Sequence, residues 1–281
     1  MKKIAIMPNA TKDTDFQNTY KIVSYLKGRA QVFLEDRYAA SGLCAEYLPY
    51  DSLFEQAEIM LTLGGDGTML QIAAKCAKRN IPVLGINLGK VGFLTEIELD
   101  RIEEALERLL SGEYEIEKRM LMRVEVIHEG QVSRHCHALN DVVVAKNVGA
   151  KLIDLALYAD GELVNQYIAD GLIIATPTGS TGYSISAGGP VVDPLMQLYV
   201  ATPICAHMLA ARSAVLPAEK EIVIRLNRDY PENGAVVSAD GDVQGSISPL
   251  DEVRITRSCY QFSMIKIGSY SFYDTVLKKL S

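Results

Sequence analysis

The sequence predicts an α/β domain with a parallel sheet, followed by a second domain rich in β-strands. Three observations support this prediction. In the first hundred residues, short apolar runs alternate with amphipathic helix patterns, which is typical of parallel strands joined by crossover helices. From about Tyr114 onward, strand patterns follow one another with little helix between them. The Asp160-Gly161 dipeptide lies between two apolar runs and is the strongest short-range signal for a β-hairpin.

The first domain is predicted to begin with a strand at residues 4–8 and a helix after it. The helix pattern has apolar side chains three and four residues apart, at Phe16, Tyr20, Val23 and Leu26. Thr14 or Asp15 is predicted to cap this helix, and Gly28 to end it.

Three more strands and two more helices complete the predicted first domain. The strands are expected at residues 32–34, 59–63 and 82–86, with a helix from 69 to about 78 between the last two. The other helix ends at Gly112 and has apolar side chains at Ile102, Ala105, Leu106 and Leu109. The first domain is therefore predicted to span residues 1–112.

The second domain is predicted to span residues 113–260. Seven strand patterns define it, at residues 120–127, 141–145, 152–158, 172–175, 222–226, 235–238 and 253–256. One closing helix is expected near the C-terminus, with apolar side chains at Tyr273, Val276, Leu277 and Leu280.

Composition excludes several classes of protein. With 281 residues, of which 48% are hydrophobic, the chain can bury a substantial core, and this excludes intrinsic disorder. Its 28 Lys and Arg against 35 Asp and Glu, with no arginine-rich run, argue against binding nucleic acid or anionic membranes. No apolar stretch approaches the roughly 20 residues that span a bilayer, and the N-terminus turns polar too soon for a signal peptide. We therefore expect a cytoplasmic protein.

The cysteines predict reduced thiols rather than disulfides. The chain has five, widely spaced and without a CxxC pair: Cys44, Cys76, Cys136, Cys205 and Cys259. Cys136 lies between His135 and His137, which suggests a metal site. Because neighbouring side chains of a strand point to opposite faces, a polar sheet surface is the better interpretation.

The segment 59–78 predicts a phosphate-binding loop. A buried strand leads into Gly64, Gly65 and Gly67, and a helix begins near Thr68. Glycines let a backbone approach a ligand closely, and the free N–H groups of a helix start attract anions. The loop matches neither the Walker A pattern nor the dinucleotide fingerprint.

Asp66 in this loop is unusual, because phosphates repel a carboxylate unless a cation bridges the two or the acid has a chemical role. Phosphoryl transfer provides one, since an Asp can accept the proton of an acceptor hydroxyl. The alternative is that Asp66 only forms a turn, as Asp-Gly pairs often do. The double glycine before it and the helix after it favour the catalytic interpretation.

A second candidate site follows Asp170. An apolar run at 172–175 leads into a loop of small and hydroxylated side chains, which suits a nucleotide: Thr176, Thr178, Gly179, Ser180, Thr181, Gly182, Tyr183, Ser184 and Ser186. By itself this loop is equally well explained as an ordinary surface loop.

Asn140 and Asp141 can hydrogen-bond the hydroxyls of a ribose, or form a turn. Asp240 is either a hairpin residue or a ligand contact, and the spacing after it resembles a calcium loop too weakly to predict one.

Five segments together resemble the NAD kinase family. They are GGDGT at 64–68, LGINLGKVGFLTE at 84–96, the Asn140-Asp141 pair, TPTGSTGYSISAGGP at 176–190 and PICAHMLAARS at 203–213. GGDGT alone also resembles the loop of diacylglycerol and sphingosine kinases, and the segment at 176–190 narrows the match.

The resemblance implies both fold and activity. It implies a Rossmann-like nucleotide-binding domain, a β-rich domain, a tail at 261–281 that returns to the first domain, and NAD bound in the cleft between the domains. It also implies phosphorylation of the 2′-hydroxyl of the adenosine ribose, giving NADP, with ATP or inorganic polyphosphate as donor. A divalent metal, Mg²⁺, would be held mainly by phosphates and not by protein ligands. The implied assembly is a homodimer or homotetramer in which a neighbouring subunit can complete the NAD site.

The resemblance also assigns roles to residues. Asp66 would be the proton acceptor, and Gly67 a backbone contact. Asn140 and Asp141 would hold a ribose, Asp170 would contact the adenine region, and Asp240 would lie near the same site. The adenosine pocket would be lined by Thr178, Thr181, Gly182, Tyr183, Ser184, Ile185 and Ser186.

Two positions depart from the family pattern. Asp141 stands where the family commonly has Glu, so its carboxylate is one methylene shorter. Ile168 stands where many members have a basic residue, two positions before Asp170. Lys151 is the predicted replacement for that cation.

Overall fold

A computed structural model gives the structure of residues 1–89, 92–147, 151–208, 211–227, 234–268 and 271–280. The chain forms two compact units. The first contains Met1–Lys118 together with Gln261–Ser281, and the second contains Arg119–Tyr260. The sequence placed the first boundary after residue 112, where a helix ends at a glycine. No helix in the described residues is both long and apolar enough to cross a membrane.

Among the described residues, the strands are β1 (Lys2–Pro8), β2 (Ala30–Glu35), β3 (Glu46–Leu48), β4 (Ile59–Gly64), β5 (Val83–Asn87), β6 (Glu115–His128), β7 (Gln131–Ala138), β8 (Asp141–Lys146), β9 (Ile153–Ala159), β10 (Glu162–Ala169), β11 (Gly171–Ala175), β12 (Leu198–Ile204), β13 (Ala214–Pro217), β14 (Ile222–Leu226), β15 (Ala235–Ala239), β16 (Asp242–Ile247) and β17 (Asp251–Lys266). The α-helices are α1 (Gln17–Leu26), α2 (Tyr50–Gln56), α3 (Asp66–Arg79), α4 (Ile102–Ser111), α5 (Tyr183–Ser186) and α6 (Phe272–Leu280).

The first unit is built on a parallel sheet in the order β5–β4–β1–β2–β3. The end of β17 joins this sheet, because Met264 pairs in parallel with Val83 of β5. Strands β1 and β4 are buried almost throughout, as expected for central strands covered on both faces. The predicted α/β architecture of this part of the chain is confirmed.

The start of α1 differs from the prediction. A short 3₁₀ turn (Thr14–Phe16) precedes the helix, and the capping side chain is Asp13, not Thr14 or Asp15. The Asp13 carboxylate accepts the backbone N–H groups of Asn18 and Thr19, both at 2.9 Å. The face of the helix that is buried also differs from the predicted one. Tyr20 is 62% exposed, and the buried side chains are Thr19, Ile22, Val23 and Leu26.

The second unit contains antiparallel sheets. One has the order β13–β12–β11–β8–β15–β16, and a second set runs β10–β9–β14–β17, with β6 paired to β7. One apolar core takes side chains from both sets, among them Val142, Leu157, Leu172 and Ile255. The predicted β-rich domain is therefore confirmed, and its buried layers hold the polar loops described below.

Two tight turns shape this unit. Asp160 and Gly161 have φ of 50° and 80° between β9 and β10, so the predicted hairpin is confirmed. Asp240 and Gly241 make the same kind of turn between β15 and β16, with φ of 49° and 87°. Asp240 is therefore a hairpin residue, and the stretch with a weak calcium-loop spacing includes strand β16.

The cysteines and the His-Cys-His triplet fall as the patterns predict. All five cysteines are free thiols. His135, Cys136 and His137 lie in succession on strand β7. His137 contacts the hydroxyl of Ser258 at 3.0 Å through Nδ1, and its ring packs edge-on against Tyr260. The triplet therefore forms part of a polar sheet surface.

Candidate active site

The glycine loop of the first unit joins strand β4 directly to helix α3. The helix begins at Asp66, earlier than predicted, with Gly65 in extended conformation immediately before it. Asp66 and Gly67 therefore belong to the first helical turn, where the leading N–H groups have no partner within the helix. Gly67 is exposed, and a Cβ added to it would meet nothing within 4 Å. This end of the helix can receive an anion.

Asp66 is held by the backbone of a loop distant in sequence. Its Oδ2 accepts the N–H of Phe93 at 2.8 Å, and its Oδ1 accepts the N–H groups of Leu94 and Thr95 at 3.0 and 3.2 Å. The hydroxyl of Thr95 adds a long contact to Oδ1 at 3.4 Å. A carboxylate oxygen accepts about two hydrogen bonds. Among the described residues, Oδ2 has one partner, so it is the oxygen with capacity to accept a proton.

Glycines make this arrangement possible. A Cβ on Gly92 would lie 1.8 Å from Oδ1 of Asp66, so a side chain there would displace the carboxylate. A Cβ on Gly64 would lie 2.2 Å from the hydroxyl of Thr68. Glycine is required at both positions because neighbouring atoms lie too close to leave room for a side chain. Both glycines fall within the segments that resemble the family.

The ammonium group of Lys12 lies beside the glycine loop. Sequence reasoning missed this residue. Its Nζ lies 3.1 Å from the position that a Cβ on Gly65 would occupy. Asn9 organises this part of the chain, because its Oδ1 accepts the N–H groups of Thr11 and Lys12 and its Nδ2 donates to Thr68 Oγ1 at 3.2 Å. Within the described ranges, no carboxylate forms an ion pair with Lys12. A lone lysine in a polar segment has no local sequence signal, which explains the omission.

In the second unit, Asp240 anchors the turn that carries Asn140 and Asp141. Its Oδ2 accepts the N–H of Leu139 at 2.7 Å, and its Oδ1 accepts those of Asn140 and Asp141 at 2.7 and 3.1 Å. Burial raises the pKa of Asp240, and these three N–H groups oppose that shift. Asp240 therefore fixes the backbone at the predicted ribose contacts, and the sequence did not predict this function.

The hydroxyl-rich loop packs against the same turn. Thr176 donates from its N–H to the carbonyl of Asn140 at 2.8 Å and from its hydroxyl to that of Leu139 at 2.5 Å. A Cβ on Gly179 would lie 2.0 Å from the Asn140 carbonyl oxygen. Gly182 lies beside the Asn140 and Asp141 side chains, since a Cβ there would be 3.6 Å from Asn140 Nδ2 and 3.8 Å from Asp141 Oδ2. Three segments distant in sequence therefore meet here.

Asn140 and Asp141 are poised for a polar ligand. The Oδ1 atom of Asn140 is buried and has no hydrogen-bond partner among the described residues. Burial raises the pKa of Asp141 to about 6, with a smaller contribution from the negative charge of Asp240. An unsatisfied buried acceptor is costly, so a ligand that donates hydrogen bonds here would be stabilised.

The remaining loop residues divide into supporting and accessible side chains. Thr178 and Ser184 are buried, and their hydroxyls contact Arg119 Nη1 at 3.3 Å and Thr202 Oγ1 at 3.0 Å. Ser180, also buried, donates to the carbonyl of Pro177 at 2.7 Å. The side chains that reach solvent at least in part are Thr181, Tyr183, Ile185 and Ser186.

Asp170 lies apart from this cluster. It precedes β11, whereas the hydroxyl-rich loop follows it, and Asp141 pairs with Ala175 at the far end of that strand. Five residue steps along a strand separate the two ends by about 17 Å. Asp170 forms an ion pair with Lys146 at 2.7 Å.

Lys146 is thus the cation beside Asp170, and sequence reasoning missed it. Ile168 is 45% exposed, and Lys151, the predicted replacement cation, is exposed as well. The described part of the chain contains no group of three or more His, Cys, Asp or Glu side chains that could hold a metal ion.

The comparisons with known proteins agree with one another. The chain matches the family models of the ATP-NAD kinase N-terminal domain over residues 18–114 and the ATP-NAD kinase C-terminal domain over residues 139–267. It is 39% identical over 281 residues to the NAD kinase of Moorella thermoacetica, covering 100% of this chain and 89% of that protein. It is 35% identical over 283 residues to the NAD kinase of Caldanaerobacter subterraneus subsp. tengcongensis, covering 100% and 99%.

Two solved structures are similar over nearly the whole chain. An NAD kinase from Archaeoglobus fulgidus in complex with ATP has a TM-score of 0.76 and 30% identity, with 99% of this chain and 98% of that chain covered. Yeast NADH kinase complexed with NADH has a TM-score of 0.91 and 23% identity, with 100% and 87% covered. The yeast structure shows a shared fold.

Proposed function

The chain belongs to the NAD kinase family, as its motifs predicted, and from that premise we propose that it transfers the terminal phosphoryl group of ATP to the 2′-hydroxyl of the adenosine ribose of NAD. The observation that carries the proposal is the carboxylate of Asp66, fixed at a helix start that suits phosphates, with one oxygen able to accept a proton. The products are NADP and ADP.

In this mechanism, the 2′-oxygen attacks the terminal phosphorus of the donor as the bond from that phosphorus to the leaving ADP oxygen breaks. Oδ2 of Asp66 takes the proton of the attacking hydroxyl, while the N–H of Phe93 keeps that oxygen in place. Such a reaction relies mainly on positioning and charge stabilisation.

The donor phosphates are assigned to the glycine loop. The leading N–H groups of α3 at Asp66 and Gly67 and the ammonium group of Lys12 offer positive charge to them. A divalent cation, with Mg²⁺ as the expected ion, would be held mainly by the donor phosphates and would neutralise part of their charge. ATP is the proposed donor, and inorganic polyphosphate is the alternative.

The acceptor is assigned to the second unit. Asn140 and Asp141 are proposed to accept the hydrogen bonds of a ribose, because Asn140 Oδ1 is an unsatisfied buried acceptor beside a carboxylate. Thr181, Gly182, Tyr183, Ile185 and Ser186 are proposed to line the adenosine pocket, with Thr178 and Ser184 supporting them from within.

The separation of Asp170 from Asn140 and Asp141 supports a homo-oligomer. Adenine and its ribose are directly bonded, so residues about 17 Å apart along one strand pair are poorly placed to contact both within one subunit. We propose that Asp170 and Lys151 serve the NAD of a neighbouring subunit, in a cytoplasmic homodimer or homotetramer. Light scattering after size-exclusion chromatography tests the assembly, and a monomer at micromolar concentration would contradict it.

The activity is tested by incubating the protein with Mg²⁺, ATP and NAD and measuring NADP with an NADP-specific dehydrogenase. Polyphosphate replaces ATP in a parallel reaction. NADP formation supports the proposal. If the folded protein binds NAD but neither donor yields NADP, a non-catalytic nucleotide sensor becomes the better hypothesis. Phosphorylation of lipid micelles in place of NAD would instead indicate a lipid kinase, which shares the glycine loop.

A further inference from the structure

The loop at residues 92–97 holds the Asp66 carboxylate, and this loop in turn contacts the C-terminal part of the first unit. We call residues 261–268 and 271–280 the C-terminal segment. Two separate contacts join it to the loop, one at Glu96 and one at Phe93. Both lie next to the backbone N–H groups that bind Asp66.

Glu96 provides the first contact. Its side chain is almost fully buried, its Oε1 accepts the N–H of Gly268 at 2.9 Å, and its Oε2 lies 2.7 Å from Nζ of Lys266. A buried carboxylate requires such partners, so this geometry is strongly specified. Glu96 directly follows Thr95, whose N–H donates to Asp66.

Phe93 provides the second contact. Its ring lies 6.2 Å from the ring of Phe272, centroid to centroid, and Nζ of Lys279 is 4.5 Å from the centroid of the Phe93 ring. Both are favourable arrangements of aromatic rings and cations. Helix α6 therefore packs on the residue whose backbone N–H binds Oδ2 of Asp66.

We propose that helix α6 is a positioning element for phosphoryl transfer, acting through Phe93 on the proton-accepting oxygen of Asp66. The proposal rests on the proposed role of Asp66. Phe272 and Lys279 contact Phe93 and not the carboxylate, so they are positioning residues. Their loss alters the orientation of Oδ2, and a misplacement of about 1 Å can lower a rate by about 10²-fold. Ground-state binding of NAD does not depend on this orientation.

The test is Phe272→Ala, with kcat and the KM values for NAD and ATP measured together with the Kd for NAD. We expect kcat to fall by about 10- to 100-fold while the Kd and both KM values change by less than about threefold. Phe272→Leu, which keeps an apolar side chain against Phe93, should recover most of the rate. An unchanged kcat, or a weaker affinity for NAD at unchanged kcat, would overturn the proposal.

A milder pair of variants guards against loss of folding. Lys279→Ala removes the cation over the Phe93 ring, and Lys21→Ala removes the same charge from an exposed position of the same unit. We expect a several-fold fall in kcat for Lys279→Ala and wild-type kcat for Lys21→Ala, with equal thermal unfolding midpoints. Equal kcat values for the two variants would contradict the proposal.

A double variant separates this inference from the proposed function. If α6 acts through Asp66, Phe272→Ala should cause little further loss in an Asp66→Asn background, measured in single turnover with enzyme in excess. A full 10- to 100-fold further loss would overturn the positioning role while leaving the proton acceptor intact. Wild-type kcat in Asp66→Asn alone would overturn the proton acceptor, and the inference with it.

Discussion

At the scale of single residues, the two candidate carboxylates have different surroundings. Asp66 is half-buried and surrounded by N–H donors of its own unit, which leaves Oδ2 with one partner among the described residues. Asp141 is 8% exposed and lies near the charge of Asp240, so its ionisation is disfavoured. The first environment holds the side chain in a fixed orientation, and the second contains a carboxyl group that a ligand donating hydrogen bonds would stabilise.

The raised pKa of Asp141 predicts a pH effect on stability. Burial favours the protonated form in the folded state, so this stabilisation is present at acidic pH and is lost as pH rises through about 6. From pH 4.5 to 7.5, the wild type should lose on the order of 1–2 kcal/mol of unfolding free energy relative to Asp141→Asn. Urea unfolding of both proteins at the two pH values measures this. A difference that is independent of pH would show that Asp141 has an ordinary pKa.

Lys12 predicts an effect on the donor substrate. Because its ammonium group lies at the glycine loop and its side chain is exposed, Lys12→Ala should lower kcat/KM for ATP by about 10- to 100-fold without changing thermal stability. The KM for NAD should change little. Lys21→Ala, which removes another exposed lysine of the same unit, is the control and should have wild-type kinetics. Equal effects of both variants would mean that only overall charge matters.

At the scale of elements, each of the two units contains a turn whose backbone is held by a carboxylate. Asp66 at the start of α3 binds three consecutive N–H groups of the 92–97 loop. Asp240 in the β15–β16 hairpin binds three consecutive N–H groups at residues 139–141. In both turns, a carboxylate accepts the backbone N–H groups in place of a backbone carbonyl.

Asp240→Asn tests this function of the hairpin. The amide keeps one acceptor oxygen but places an NH₂ group against backbone N–H donors, so we expect a loss of about 1–3 kcal/mol in unfolding free energy. The affinity for NAD should fall as the ribose contacts lose their fixed backbone. Asp242→Asn, an exposed position two residues away, is the control. Urea unfolding and calorimetric titration with NAD give both quantities, and wild-type values in Asp240→Asn would refute the anchoring function.

At the scale of the whole molecule, the sequence predicted many of the features that have a local signal, although the buried strand β12 was missed. Strand β14 is found at the predicted residues, and the Asp160-Gly161 turn and the glycine loop are where their patterns indicated. Strands β7, β10 and β16 were missed because they are largely exposed and polar, so no apolar alternation marks them. The short helix α2 and strand β3 were missed because each is too brief for a periodic pattern.

The motifs of the candidate site can be picked out from the sequence, whereas its contacts cannot. Gly64, Asp66 and Asn140 are candidates because of local patterns that have a chemical reason. The partners of Asp66 at 93–95, the support that Asp240 gives to residues 139–141, and the approach of Lys12 to Gly65 all join distant parts of the chain. Such contacts arise from tertiary packing, and a single sequence carries no local signal for them.

The central claim is that Asp66 accepts the proton during phosphorylation of NAD. The most direct test compares kcat for NADP formation and the Kd for NAD in the wild type and in Asp66→Asn. The amide keeps the size of the side chain but cannot take up the proton, and its NH₂ group faces the N–H of Phe93, so we predict a fall in kcat of about 10²- to 10⁴-fold with the Kd within about threefold. A variant that retains kcat within about threefold of the wild type would contradict the account.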